Sequence, residues 1–123
     1  MFPDQVMIST IGVIMLGVQD MARSIAFYHD TLNLALHFQT PGFAFLNAGG
    51  VKLCLSEPLA KALGPAPGAV EFVFSVQSVR EAHNALKIRG VEFTIAPRVV
   101  TGTDWAANFD DPDGHHLSLF GPE

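Results

Sequence analysis

Apolar and polar positions along this chain fall into short alternating runs separated by helical stretches, and the whole series occurs twice. Alternation with period two marks a strand, because successive side chains of an extended chain point to opposite faces; a period near 3.6 marks a helix. Residues 13–18 form an apolar run of strand length and lead to Asp20, after which Met21, Ile25, Tyr28 and Leu32 recur at helical spacing. Asp20 can accept from the unpaired N–H groups of that helix. Asn33 tolerates the left-handed conformation that ends one. Residues 71–76 form a second, mostly apolar run of strand length. Ser78 and Glu81 then form a capping box, Val79, Ala82 and Leu86 make an apolar stripe, and Gly90 is the stop. Each helix is followed by three strand-like pieces, 34–38, 43–47 and 51–56 in the first half, and 91–96, 104–109 and 115–120 in the second. Pro41-Gly42, Gly49-Gly50 and Asp111-Pro112-Asp113-Gly114 supply the turns.

An internal repeat of this kind is the strongest organising signal a sequence offers. It predicts an α+β fold, one domain over residues 1–123. Two tandem βαβββ modules, about 9–57 and 69–121, would be joined by a Pro/Gly/Ala-rich linker at 58–68 with a short helix near Leu59–Leu63. Alternation assigns Ile14, Leu16, Leu53, Leu55, Phe72, Phe74, Leu117 and Leu119 to a face covered by the helices. Val13, Met15, Lys52, Cys54, Glu71, Ser118 and His116 share the opposite face. In a lone sheet that mixed face would simply meet water; with two sheets side by side, forming a curved mixed sheet, it can line a concave cavity.

Composition narrows the classes. Hydrophobic residues make up 49% and charged residues 15% of 123 positions, so the chain can build a packed core. Seven basic residues against twelve acidic ones, with no basic run, argue against nucleic acid as a partner. Apolar stretches are too short to span a bilayer. A single Cys excludes an internal disulfide, which makes the reducing cytoplasm the expected location.

The opening at residues 13–28, VIMLGVQDMARSIAFY, and the closing Asp111-Pro112-Asp113-Gly114 before a strand resemble the vicinal oxygen chelate superfamily. That group includes glyoxalase I, bleomycin-resistance proteins, ring-cleaving dioxygenases and epimerases. The resemblance extends from Ile11 to Phe120 and implies a homodimer. It also implies that a metal, where members use one, is held on the first and last strands of each unit, at positions falling here on Val13, Cys54, Glu71 and Ser118. Val13 cannot ligate, Ser118 stands where a glutamate belongs, and Cys54 suits only a softer metal. The expectation is therefore a protein that binds a small, aromatic or apolar molecule with no cofactor and no metal. The alternative is a lyase or isomerase working by proton transfer at Glu71, or an atypical metal-dependent lyase or dioxygenase.

Glu71 is the sharpest position, because an unpaired carboxylate inside the apolar run 69–74 would be costly. It can be a general base, a ligand-binding carboxylate, or one half of an ion pair with Lys52. His116, on the same face, is the candidate acid/base partner; a hydrogen-bonding pocket residue is its plainer role. His115 has opposite parity and receives no role, and His29, His37 and His83 lack metal-ligand spacing. Cys54 reads as a small buried apolar residue. Trp105, Phe43 and Phe45 are candidates to flank an aromatic ligand, with core packing as the default. The candidate ligand-binding set is thus Val13, Lys52, Cys54, Glu71, Trp105, His116 and Ser118.

Overall fold

The computed structural model describes residues 11–64 and 70–123. Strand β1 (Val13–Gly17) leads to α1 (Met21–Ile25), which runs on as a π-helical segment over Ala26–Thr31. Strands β2 (Ala35–Thr40), β3 (Phe43–Asn47) and β4 (Lys52–Ser56) follow, then α2 (Glu57–Leu63). The second series is β5 (Glu71–Ser75), α3 (Val79–Ile88), β6 (Phe93–Thr101), β7 (Asp104–Asp110) and β8 (His116–Pro122). These make two four-stranded sheets of identical topology, β1-β4-β3-β2 and β5-β8-β7-β6. In each, the strand before the helix pairs parallel with the last strand, and the other pairs are antiparallel hairpins.

Local chemistry explains the helix ends. The Asp20 carboxylate accepts from the Arg23 N–H at 3.1 Å, and the Ser78 hydroxyl oxygen accepts from the Glu81 N–H at 3.1 Å. Asn33 has φ 67° and Gly90 has φ 96°, the left-handed geometry that a helix stop requires.

Of the boundaries that differ from the sequence reading, two have a clear local cause. Strand β6 runs through Pro97 to Thr101 instead of ending at Ala96. Proline lacks an N–H to donate, yet β6 is the outer strand of its sheet, and its pairing with β7 shifts between Ile95 and Arg98, so no ladder bond is required there. The short helix expected near Leu59–Leu63 begins two residues earlier, at Glu57, because the Ser56 hydroxyl caps it by accepting from the Leu59 N–H at 3.1 Å. The rest of the expected linker falls in 65–69, outside the described residues.

The helix-facing rows meet in one core. Leu16, Tyr28, Leu46, Leu53 and Leu55 from the first unit are buried with Leu86, Phe109, Leu117 and Leu119 from the second. Phe27 spans the two, its ring 5.2 Å from Tyr28 and 6.3 Å from Phe109.

The Asp-Pro-Asp-Gly turn ties the units together. Asp111 Oδ1 accepts from the N–H groups of Asp113 (2.9 Å) and His115 (2.8 Å), shaping the turn, while its Oδ2 accepts from the Tyr28 hydroxyl at 2.7 Å. Asp113 reaches the first unit as well, accepting from the Gln19 N–H at 3.0 Å and the Ser24 hydroxyl at 3.3 Å. His115 Nε2 donates to the Gly17 carbonyl at 2.8 Å, so this ring nitrogen carries the proton.

Candidate functional site

The faces turned away from the helices carry different chemistry in the two units. Across the first sheet one row reads Met15, Cys54, Phe45, Phe38. It is apolar throughout, and Phe38 and Phe45 stack with centroids 4.6 Å apart. The matching row of the second sheet reads Val73, Ser118, Asn108, Ile95, with Glu71, His116 and Asp110 one step along. The same architectural position is greasy in one unit and hydrogen-bonding in the other.

Glu71 organises the polar row. Its Oε1 accepts from the Ser118 hydroxyl at 2.9 Å and its Oε2 from the Asn108 side-chain amide at 3.2 Å. The Asn108 carbonyl oxygen in turn accepts from Arg98 Nη1 at 2.8 Å. Four residues on four adjacent strands are thereby linked in one chain. Next to it, as a separate pair, His116 Nδ1 lies 2.9 Å from Asp110 Oδ1. That contact leaves Nε2 of His116 for another partner. Each carboxylate oxygen of Glu71 has a second lone pair, so the group can accept further bonds from a ligand while keeping its protein partners.

Of the residues singled out from sequence, Glu71 and Ser118 are in contact, and His116 sits beside Glu71 on the neighbouring strand. The ion pair with Lys52 does not form: Lys52 is on β4 in the other sheet, between Val13 and Asn47, and Glu71 takes its bonds from Ser118 and Asn108. Trp105 is not on the polar face. It shares parity with Ala107 and Phe109 and lies opposite Gly121, on the helix side of the sheet. Cys54 is fully buried, its thiol donates weakly to the Leu55 carbonyl at 3.8 Å, and burial pushes its pKa up. Val13 is 45% exposed on the edge strand of the first sheet. Among the histidines without a role, His29 Nδ1 bonds the Leu34 carbonyl and His83 packs on Phe93. Sequence reasoning missed Asn108, Arg98 and Asp110. Asn108 and Asp110 do alternate on one face of β7, and that polar period was the available signal.

The positions that would hold a metal in relatives do not fit one. Val13 offers hydrocarbon, the Ser118 hydroxyl donates its proton to Glu71, and the Cys54 thiol is sealed in the sheet. Among the described residues no three His, Cys, Asp or Glu side chains are grouped as a ligand set.

Between the edges of β1 and β5 runs a seam with a cavity of about 350 Å³. Ile14, Leu53, Phe72 and Phe74 line it from the helix-facing side, and Glu71, exposed with its carboxylate bonded to Ser118 and Asn108 on the opposite face, borders it. A second cavity of about 520 Å³ lies at the other end of the seam, against Gly17, Leu59 and His115. Among the described residues no helix is long and apolar enough to cross a membrane.

Paired βαβββ sheets on a common core, closed by an Asp-Pro-Asp-Gly turn, define the two-module vicinal oxygen chelate architecture. The chain belongs to the Glyoxalase/Bleomycin resistance protein/Dioxygenase superfamily, whose family model matches residues 10–119. A curated relative, the glutathione transferase FosA of Serratia marcescens, is 27% identical over 121 residues, covering 92% of this chain and 81% of its own. A glyoxalase/bleomycin resistance protein/dioxygenase from Nocardioides superposes with a TM-score of 0.78 at 26% identity, over 96% of this chain and 87% of that one. TnmS3, an antibiotic binding protein from Streptomyces sp. CB03234, shares the fold with a TM-score of 0.78 at 24% identity, over 94% and 98% of the two chains.

Proposed function

We propose that this protein binds a small molecule through the polar cluster centred on Glu71, without a metal ion. The observation that carries this is the state of the Glu71 carboxylate, which is held by Ser118 and Asn108 in the place where a metal-dependent relative would need a ligand set. The seam cavity that Glu71 borders, lined by the helix-facing row, has the size and apolar lining of ligand pockets. A fold shared with an antibiotic-binding protein is compatible with that use. The protein works as a homodimer in the cytoplasm: Cys54 is a free thiol, and Val13, Met15 and Val73 leave apolar surface on the open faces for a second copy to cover. Light scattering should return twice the chain mass; a monomer at all concentrations removes the dimer.

One arrangement favours catalysis as a second possibility. His116, oriented by Asp110, stands on the strand next to Glu71, an acid and a base on one face. The similarity to a glutathione transferase points the same way. A thermal-shift screen of aromatic metabolites and antibiotics supplies the ligand, and Glu71→Gln then separates the two. For a binder, the substitution weakens affinity by about 1–3 kcal/mol and no turnover is found. For an enzyme, turnover falls by roughly 10²-fold or more while affinity changes little. Unchanged affinity with no turnover would remove Glu71 from the site altogether.

A further inference from the structure

The polar chain ends on a guanidinium, and its geometry goes beyond what a scaffold needs. Arg98 lies half-buried on the outer strand β6, opposite Ala106, whose methyl group leaves room on that face. Among the described residues its side-chain hydrogen bonds come from Nη1, which donates to Asn108 Oδ1 at 2.8 Å and to the Ala106 carbonyl at 3.2 Å. The second of these falls where the β6–β7 pairing is irregular. Among the described residues no carboxylate lies within ion-pair distance of Arg98, whereas Arg23 and Arg80 each have one. Guanidinium carries five N–H donors in a rigid fork. With Nη1 fixed, the Nε–Nη2 edge is held in place and still has its donors, the arrangement that binds a carboxylate or phosphonate in bidentate fashion.

Asn108 explains why this cation and the Glu71 anion do not neutralise each other. Its carbonyl oxygen faces the guanidinium and its NH₂ faces the carboxylate, an orientation fixed by both neighbours, since the flipped amide would set donor against donor. The amide keeps the two charges apart, so one end of the cluster only donates and the other only accepts.

We infer that Arg98 forms an oxyanion subsite next to Glu71, and that the ligand is a small molecule carrying an oxyanion and, a few bonds away, an N–H or O–H donor. This rests on the proposal that ligand binds at Glu71 and names the chemical class it takes. Carboxylate, phosphonate and sulfonate groups share the required geometry.

Two probes test it by titration calorimetry on the intact protein: 3-aminopropylphosphonate, which offers both groups, and propylphosphonate, which offers the oxyanion alone. The wild type should bind the first more tightly. Arg98→Gln should weaken both by roughly ten- to hundredfold, the scale of losing charge-assisted hydrogen bonds. Arg98→Lys, which keeps the charge without the fork, should fall between. Glu71→Gln should weaken only the aminated probe. Failure of the wild type to bind either probe overturns the subsite. So does an Arg98→Gln protein that melts normally and binds both as well as wild type. If Arg98→Gln misfolds, Arg98→Lys decides, and undiminished binding by it overturns the fork. Loss on Arg98→Gln with no effect of Glu71→Gln keeps the subsite and removes Glu71 as a ligand contact.

Discussion

Tyr28 and Asp111 show what one residue pair contributes at the seam of the two units. Both are buried, and the phenol donates to a carboxylate already shaping the family turn. Removing the hydroxyl leaves Asp111 with a buried oxygen short of a partner, so Tyr28→Phe should lower stability by about 1–3 kcal/mol, read from urea unfolding. The pH dependence has a definite sign. Burial, and then the Asp111 charge, push the Tyr28 pKa far above its ordinary value. An unfolded tyrosine titrates near pH ~10, so above that pH the unfolded chain releases a proton the folded chain retains. The contribution is therefore complete below pH ~10 and declines as pH rises beyond it. Tyr28 is the sole tyrosine, which makes the measurement clean. In an alkaline titration, tyrosinate absorbance should grow in only together with loss of the far-ultraviolet circular dichroism. A tyrosinate signal from the folded chain near pH ~10 would contradict the burial.

At the scale of elements, each sheet closes by laying its last strand parallel to its first, and backbone proximity at that closure selects residues. Gly121 near the end of β8 has φ 156°, and a Cβ there would overlap the Val76 carbonyl. Val76 also donates to the Phe120 carbonyl at 3.0 Å, so neither chain can retreat without breaking a bond. Gly121→Ala should shift the denaturant midpoint down by more than an ordinary surface substitution, whose effect stays within about 0.5 kcal/mol. A midpoint within that range would mean the strand end is looser than its geometry. Gly17 is a milder version: its added Cβ would meet the Ala60 backbone at 3.1 Å, where α2 crosses β1.

For the whole molecule, the two units have one topology and one core but unlike open faces, one aromatic and one polar. Duplicated architecture with divergent faces suits recognition of a ligand with unlike ends better than symmetric coordination of an ion. Protein purified without chelators should accordingly hold far less than one divalent ion per chain, and dialysis against EDTA should leave its melting temperature unchanged. Stoichiometric zinc, iron, manganese or nickel surviving dialysis would overturn metal-free binding.

Periodicity and punctuation lie within a few residues of one another, and so the chain alone determined the repeat, the helix caps at Asp20 and Ser78, and the sheet face of Glu71 and Ser118. It also carried the family resemblance through the opening segment and the Asp-Pro-Asp-Gly turn. Tertiary structure decided what those faces touch. Lys52 and Asn108 both share the parity of Glu71, but Lys52 lies in the other sheet, while β8 and β7 bring Ser118 and Asn108 beside Glu71. Trp105 differs: its shared parity with Ala107 and Phe109 was readable from the strand itself, and the structure adds that this row is the buried one. Arg98 was hidden because the strand was read only as far as Ala96, and the position of β6 at the sheet edge lets the strand continue through Pro97 and deliver the guanidinium to the polar row. Parity is a property of one strand, whereas neighbours are set by strand order and register, which depend on the packing of residues far apart in the chain.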